Sequence, residues 1–91
     1  MIRSFRSKAL QRFGATGEAS KLPVQKIDRV ARILRLLDAA SLPEQLNLPG
    51  LRFHGLRGAP KRFAVDASGN YRITFGWDGE DAILVDIEDY H

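Results

Sequence analysis

Apolar residues change their spacing about half way along the chain. Ile27, Val30, Ala31, Leu34 and Leu37 recur every three or four positions, which puts them on one face of an α-helix. The segment VQKIDRVARILRLLDAA is expected to be that helix, with Pro23 at an early position where its missing N–H leaves no hydrogen bond unmade. Upstream, residues 2–5 read as a short strand. Ser7 then offers a hydroxyl to cap a helix carrying Ala9, Leu10 and Phe13, which Gly14 and Gly17 should end. Downstream, Ser41-Leu42-Pro43-Glu44 fits a capping box opening one short turn, and Pro49-Gly50 marks a break.

From residue 51 the period becomes two. Segments 51–56, 61–67, 71–77 and 82–90 alternate as strands do, and the short Gly-containing stretches between them favour antiparallel hairpins. The expected fold is α+β: an N-terminal strand and two helices followed by an antiparallel β-meander, with the helices on one face of the sheet. Alternation sends Leu51, Phe53, Phe63, Val65, Tyr71, Ile73, Phe75, Trp77, Ile83, Val85 and Ile87 to the helix-covered face. The opposite parity holds Arg52, His54, Arg62, Asp66, Arg72, Thr74, Asp86, Glu88 and Tyr90.

With 91 residues, one domain over 1–91 is expected, since two cores would each be too small to stand without staples. The absence of cysteine excludes disulfides and thiolate metal sites, and two histidines alone cannot enclose a structural zinc. No stretch reads as a signal peptide or membrane span, so a cytoplasmic protein without a membrane partner is expected. The net charge of +3 hides a strong asymmetry. Residues 1–72 carry all 14 basic side chains and a balance of +9, whereas residues 73–91 carry six acids and no base. Such polarity suits a polyanion, nucleic acid before membrane, or simply an unevenly charged solvated surface. Lys26, Arg29, Arg32 and Arg35 make the outer surface of the long helix basic, a solvated face or an RNA contact.

His54, Arg72 and Tyr90 share the helix-free face. An imidazole can carry a proton near neutral pH, a guanidinium can hold phosphate oxygens in two parallel hydrogen bonds, and a phenol can stack on a base. That set suits phosphodiester cleavage without metal. The same residues also suit structural roles: Arg72 pairing with Asp86 or Glu88 across the sheet, Tyr90 capping the edge, His54 lying on the surface.

The segments MIRSF at the start, VQKIDR in the long helix, FHGLRG at 53–58, NYRITF at 70–75 and EDYH at 88–91 together resemble the HigB group of toxins in the RelE/ParE superfamily. The resemblance runs essentially end to end. It implies a microbial-ribonuclease-like fold and a ribosome-dependent mRNA endonuclease that cuts message in the decoding site, needing no cofactor or metal. It implies a HigA-like helix-turn-helix antitoxin, the ribosome and its mRNA as partners, and contact with operator DNA only through the antitoxin complex. The family's site falls on His54, Arg57, Arg72, Asp89, Tyr90 and His91. In that reading His54 and His91 move protons, Asp89 orients one of them, Arg57 and Arg72 offset phosphate charge, and Tyr90 positions the nucleotide. Lys26, Arg29, Arg32, Arg35, Lys61 and Arg62 are the expected RNA and ribosome contacts. Strict alternation would send Asp89 and His91 to the core side, so a twist or bulge is expected near the terminus. Asp66 stands on the proposed active face, where it either weakens phosphate binding or pairs with Arg62 or Arg72, and the connection between 58 and 72 is about one residue shorter than usual for the family. Two other readings stand beside this one: a gyrase-inhibiting toxin of the ParE type, and a basic module that binds RNA or joins a repressor complex without cutting.

Overall fold

The computed structural model describes residues 1–89. Helix α1, Lys8–Thr16, starts where Ser7 accepts the Leu10 N–H at 3.1 Å and ends at Gly17, whose φ of 78° lets its N–H reach the Phe13 carbonyl. Gly14 lies inside the helix and does not end it. A glycine in a helix interior costs only about 1 kcal/mol, and burying Leu10 outweighs that.

Helix α2, Ile27–Ala39, starts four residues later than Pro23. Val24 packs toward the core, and the Gln25 carbonyl takes the Ile27 N–H at 3.0 Å, a three-residue turn that no helix contains. Val30, Ile33, Leu34 and Leu37 form its buried stripe, so Ile33 joins the residues expected from the spacing, while Ile27 and Ala31 are half-buried. A 3-10 turn follows at Pro43–Leu46. Gln45 rather than Glu44 closes its start, its Oε1 accepting the backbone N–H of Ser41 at 2.6 Å and of Leu42 at 3.1 Å.

Four antiparallel strands follow in the order β1 His54–Leu56, β2 Arg62–Ser68, β3 Tyr71–Asp78 and β4 Asp81–Asp89. Residues 2–5 run parallel along the outer edge of β4, through bridges at Ile2–Ala82 and Phe5–Val85. β1 is shorter than the expected 51–56 because Arg52 has a φ of 54°, which breaks extension before His54. Leu51 is buried instead, and its carbonyl accepts the Asp66 N–H at 2.7 Å.

Both helices lie on one face of the sheet. Leu10, Val30, Ile33, Leu34 and Leu37 meet Val65, Ile73, Phe75, Ala82 and Val85 in one core, where each large aliphatic side chain contributes about 1.5–3 kcal/mol. The alternation of β4 changes phase inside the strand. Thr74 pairs with Asp86 and Gly76 with Ile83, so Leu84 and Val85 together oppose Phe75, and Leu84 takes a φ of 51°. This bulge turns Ala82 and Val85 inward and places Ile83 on the helix-free face opposite Gly76, contrary to its expected core position. Among the described residues no helix is long and apolar enough to cross a membrane.

Candidate active site

Directly paired residues of antiparallel strands point their side chains to the same face, so the register reads out the helix-free surface. His54, Ala64, Thr74 and Asp86 form one row across the four strands, and Asp66, Arg72 and Glu88 form the next. His54 and Arg72 therefore share a face, as alternation predicts. They are about 10 Å apart across the sheet and about 7 Å along it at the backbone.

His54 is exposed, and its Nδ1 lies 2.8 Å from the Arg52 carbonyl oxygen. A carbonyl only accepts, so Nδ1 carries the proton, and Nε2 of the neutral ring is left with its lone pair toward solvent. The left-handed backbone at Arg52 gives that carbonyl its direction. Arg57 is exposed one residue beyond β1, on the loop bordering this face.

Between His54 and Arg72 lies a part-buried polar network centred on Thr74. Thr74 is 0% exposed. Its hydroxyl accepts from Arg62 Nη2 at 3.0 Å and donates to Glu88 Oε2, while the same Arg62 nitrogen donates to the Leu84 carbonyl at 2.9 Å. The bulge supplies that carbonyl, and Gly76 lets Ile83 of β4 pack close, since a Cβ there would lie 3.2 Å from Ile83 Cγ1. Burial pushes the Arg62 guanidinium below its usual range and the nearby charge of Arg6 adds to this, with Glu88 and Asp86 opposing. Arg62 is thus half-buried and engaged inside the protein, not a solvated cation waiting for RNA.

Asp66 is held differently from expectation. Its carboxylate pairs with Arg52 at 3.6 Å, Arg72 stands opposite it in the register, and Arg62 is turned to Thr74 and Leu84. The negative charge of Asp66 is accordingly offset by the exposed Arg52.

Asp89 does not join His54 and Arg72 on that face. The bulge lies at Leu84, well before the terminus where one was expected. Regular alternation resumes after it and pairs Asp89 with Tyr71 on the helix side of the sheet. The helix layer does not cover this end, so Asp89 is exposed in a cleft of about 440 Å³ with Pro23, Gln25, Lys26 and Tyr71. Tyr90 and His91 lie outside the described residues.

The basic side chains of α2 separate into two kinds. Lys26, Arg32 and Arg35 are exposed. Arg29 is half-buried, donating to the Gly50 carbonyl at 2.5 Å and, from Nε and Nη2, to the Asp66 carbonyl at 3.3 Å. It fastens the helix to the 46–53 segment and to β2. Lys61 folds back over Gly55, its Nζ 3.4 Å from the Leu56 carbonyl and 5.7 Å from the centre of the Phe63 ring.

Sequence reasoning placed Thr74 on the right face but gave it no task. The signal was present: a lone hydroxyl between Ile73 and Phe75, at the parity shared by four charged residues of the neighbouring strands. Arg52 was hidden, because its role depends on a backbone conformation that spacing does not reveal.

Among the described residues no group of three potential ligands from His, Asp and Glu could hold a metal ion. Comparison with known proteins adds an independent line. A family model described as a RelE-like toxin of type II toxin–antitoxin system HigB matches residues 3–91. The chain is also 34% identical, over 92 residues and the full length of both, to the Endoribonuclease HigB of Proteus vulgaris.

Proposed function

The chain belongs to the RelE-like HigB toxins of type II toxin–antitoxin systems, and we propose that it is an endoribonuclease which stops translation by cutting message in the ribosomal A site. The observation that carries this reading is a helix-free face that presents His54 and Arg72 together, in a chain that matches the toxin family from residue 3 to 91.

The reaction is in-line attack by a ribose 2′-oxygen on the adjacent phosphorus. The bond to the 5′-oxygen breaks, leaving a 2′,3′-cyclic phosphate and a free 5′-hydroxyl. His54 takes the 2′-hydroxyl proton on Nε2, the nitrogen that carries the lone pair in the tautomer that donates from Nδ1 to the Arg52 carbonyl. His91 returns a proton to the departing 5′-oxygen, with Asp89 orienting its ring. Arg57 and Arg72 offset the charge that develops on the phosphate oxygens, and Tyr90 stacks on the nucleotide. No step uses a metal. The ribosome supplies the in-line geometry of the message, so free RNA is a poor substrate. Of the basic residues expected to meet ribosomal RNA, Lys26, Arg32, Arg35 and Arg57 are exposed and serve that contact. The partner that neutralises the toxin is a HigA-like helix-turn-helix antitoxin, through which alone the complex meets operator DNA, and the toxin acts in the cytoplasm.

Expression without antitoxin, with 5′ ends mapped across the transcriptome, tests the reading. Arrested growth with cuts confined to translated frames is expected, unchanged in a purified translation system when EDTA is added after Mg²⁺-dependent ribosome assembly at a concentration that spares the ribosome. His91→Gln should abolish the cuts and leave antitoxin binding intact. Arrested growth with intact message would transfer the chain to the gyrase-inhibitor class, and neither arrest nor cutting would leave a binding module.

A further inference from the structure

Between α1, α2 and residues 2–5 the fold leaves open a groove of about 590 Å³. Phe5, Phe13, Ala31 and Leu34 give it apolar walls, and the first three are only half-buried, so apolar surface stays wet there. Gly14 lies on the same groove, and neither its backbone nor its packing requires a glycine. It sits inside α1 without a positive φ, and a Cβ there would meet Phe5 Cζ at 3.8 Å and Leu34 Cδ1 at 3.9 Å, ordinary van der Waals contacts. Alanine would make the better helix. What a side chain at this position removes is room, because both atoms it would meet belong to the walls of the groove.

The rim is basic. Gln11 and Arg35 line the groove from the two helices. Lys8 stands one turn before Gln11 and Arg12 beside it, and Arg32 one turn before Arg35, all of them exposed. The exposed acids of the two helices are Asp28, four residues before Arg32, and Asp38, whose Oδ1 accepts the Ile2 N–H at 3.0 Å. A second copy of the chain docked through this face would set the same cations against each other. Nucleic acid offers phosphates to the rim but no flexible apolar side chain to the groove. A protein segment with carboxylates around one large apolar anchor satisfies both.

We infer that the α1–α2 groove receives an acidic segment of the antitoxin, which seats one large apolar side chain between Phe5, Gly14 and Leu34 and sets its carboxylates against Lys8, Arg12, Arg32 and Arg35. The inference rests on the antitoxin partner of the proposed function and not on its cleavage chemistry.

The test measures the Kd of the chain for the antitoxin encoded in the neighbouring reading frame, with Tm and cleavage of ribosome-bound message followed in the same variants. Gly14→Ala should raise Tm by roughly 2–8 °C, since the helix gains and nothing is displaced. A lower Tm would show that the bare position serves the fold and would overturn the inference. Gly14→Leu fills the groove from α1 and Ala31→Leu from α2. Each should raise Kd at least tenfold and leave cleavage unchanged, because neither residue is on the sheet face of His54 and Arg72. Lys8→Glu combined with Arg12→Glu should raise Kd at least tenfold at about 0.05 M salt and less at about 0.5 M. Unchanged Kd in both leucine variants overturns the inference. So does cleavage lost in them at unchanged Kd, which gives the groove to the ribosome, or dimerisation of the chain alone that Gly14→Leu removes, which gives it to a second copy. If one leucine variant does not fold, the other decides. A wild-type chain that binds no antitoxin ends the partner reading and the inference together, whereas one that binds it and cuts nothing ends only the cleavage reading, and the Kd series still decides.

Discussion

Replacing Arg29 by methionine separates structural cations from RNA-facing ones on a helix whose sequence makes them look alike. Methionine keeps most of the aliphatic stem and removes the guanidinium, so packing changes little. Three contacts disappear: the 2.5 Å bond to the Gly50 carbonyl and the two 3.3 Å contacts shared by the Asp66 carbonyl. A hydrogen bond from a charged donor is worth about 1.5–3 kcal/mol, and the pair at 3.3 Å counts as one weak bond because a single oxygen receives both. Gly50 is exposed, so water repairs part of the loss there, whereas the bonds to Asp66 are part-buried. The net cost is about 2 kcal/mol, which lowers Tm by roughly 8–16 °C in a domain of this size. Arg32→Met, one turn away and exposed, should stay within about 0.5 kcal/mol. Urea unfolding followed by Trp77 fluorescence measures both variants on the same day, and the ribosome-binding salt dependence of each gives the complement: Arg32→Met should reduce the slope, Arg29→Met should not. Equal stability of the two variants would refute the assignment of Arg29 as a clamp and return it to the RNA-facing set.

Three shorter predictions follow from other parts of the molecule. Leu37→Ala removes a fully buried side chain at the C-terminal end of the α2 stripe and should cost about 2–5 kcal/mol by chemical denaturation. The Asp81 carboxyl is held below its ordinary value of 3.8, first by hydrogen bonds from Arg3 and further by the charges of Arg3 and the N-terminus, with burial opposing. A depressed pKa in the folded state gives stability that is complete above the unfolded value and lost as pH falls through the folded one. Exchange protection of the Arg3 and Ala82 amides, which join residues 2–5 to β4, should therefore fall below pH about 4, and Asp81→Asn should flatten that dependence. His54→Ala, at an exposed position, should shift Tm by less than about 3 °C while lowering ribosome-bound cleavage by at least about a hundredfold; full activity would exclude His54 as the proton acceptor.

Much of this architecture is legible in the sequence because spacing alone encodes it. The three-to-four period of α2, the hairpin punctuation and the two-residue alternation of β2 and β3 depend only on local sterics and on which side must be dry. What escaped depends on backbone states that side-chain type does not announce. Arg52 and Leu84 both adopt positive φ without being glycine. The first ends β1 early and turns a carbonyl to His54, and the second flips the parity of Ala82 and Ile83. Asp89 shows the consequence for function. A bulge was expected in β4, but its position decides which residues change sides, and at Leu84 it leaves Asp89 on Tyr71's side of the sheet. The resemblance groups His54, Arg72 and Asp89, and the register puts the first two on one face of the sheet and Asp89 on the other.

The charge asymmetry also changes meaning once the engaged acids have a place. Three of the six acids of the last segment are structural partners: Asp78 and Asp81 hold Arg3 at 2.7 and 3.0 Å, Asp81 meets the N-terminus at 3.5 Å, and Glu88 receives the Thr74 hydroxyl. The first two clasp the N-terminal segment to the β3–β4 hairpin, and the third lies in the row of Arg72. Each acid so engaged is close to cations of its own domain, so its field at a distance is largely cancelled. The cations left exposed outside these contacts are Arg6, Lys8 and Arg12 around α1, Lys21 after it, Lys26, Arg32 and Arg35 on α2, and Arg57 on the β1–β2 loop. A net charge of +3 therefore understates what a polyanion meets on approach. The side of the molecule it meets is set by which arginines the fold has already used: Arg3 at the hairpin, Arg29 beneath the helix, Arg52 at Asp66 and Arg62 over Gly76.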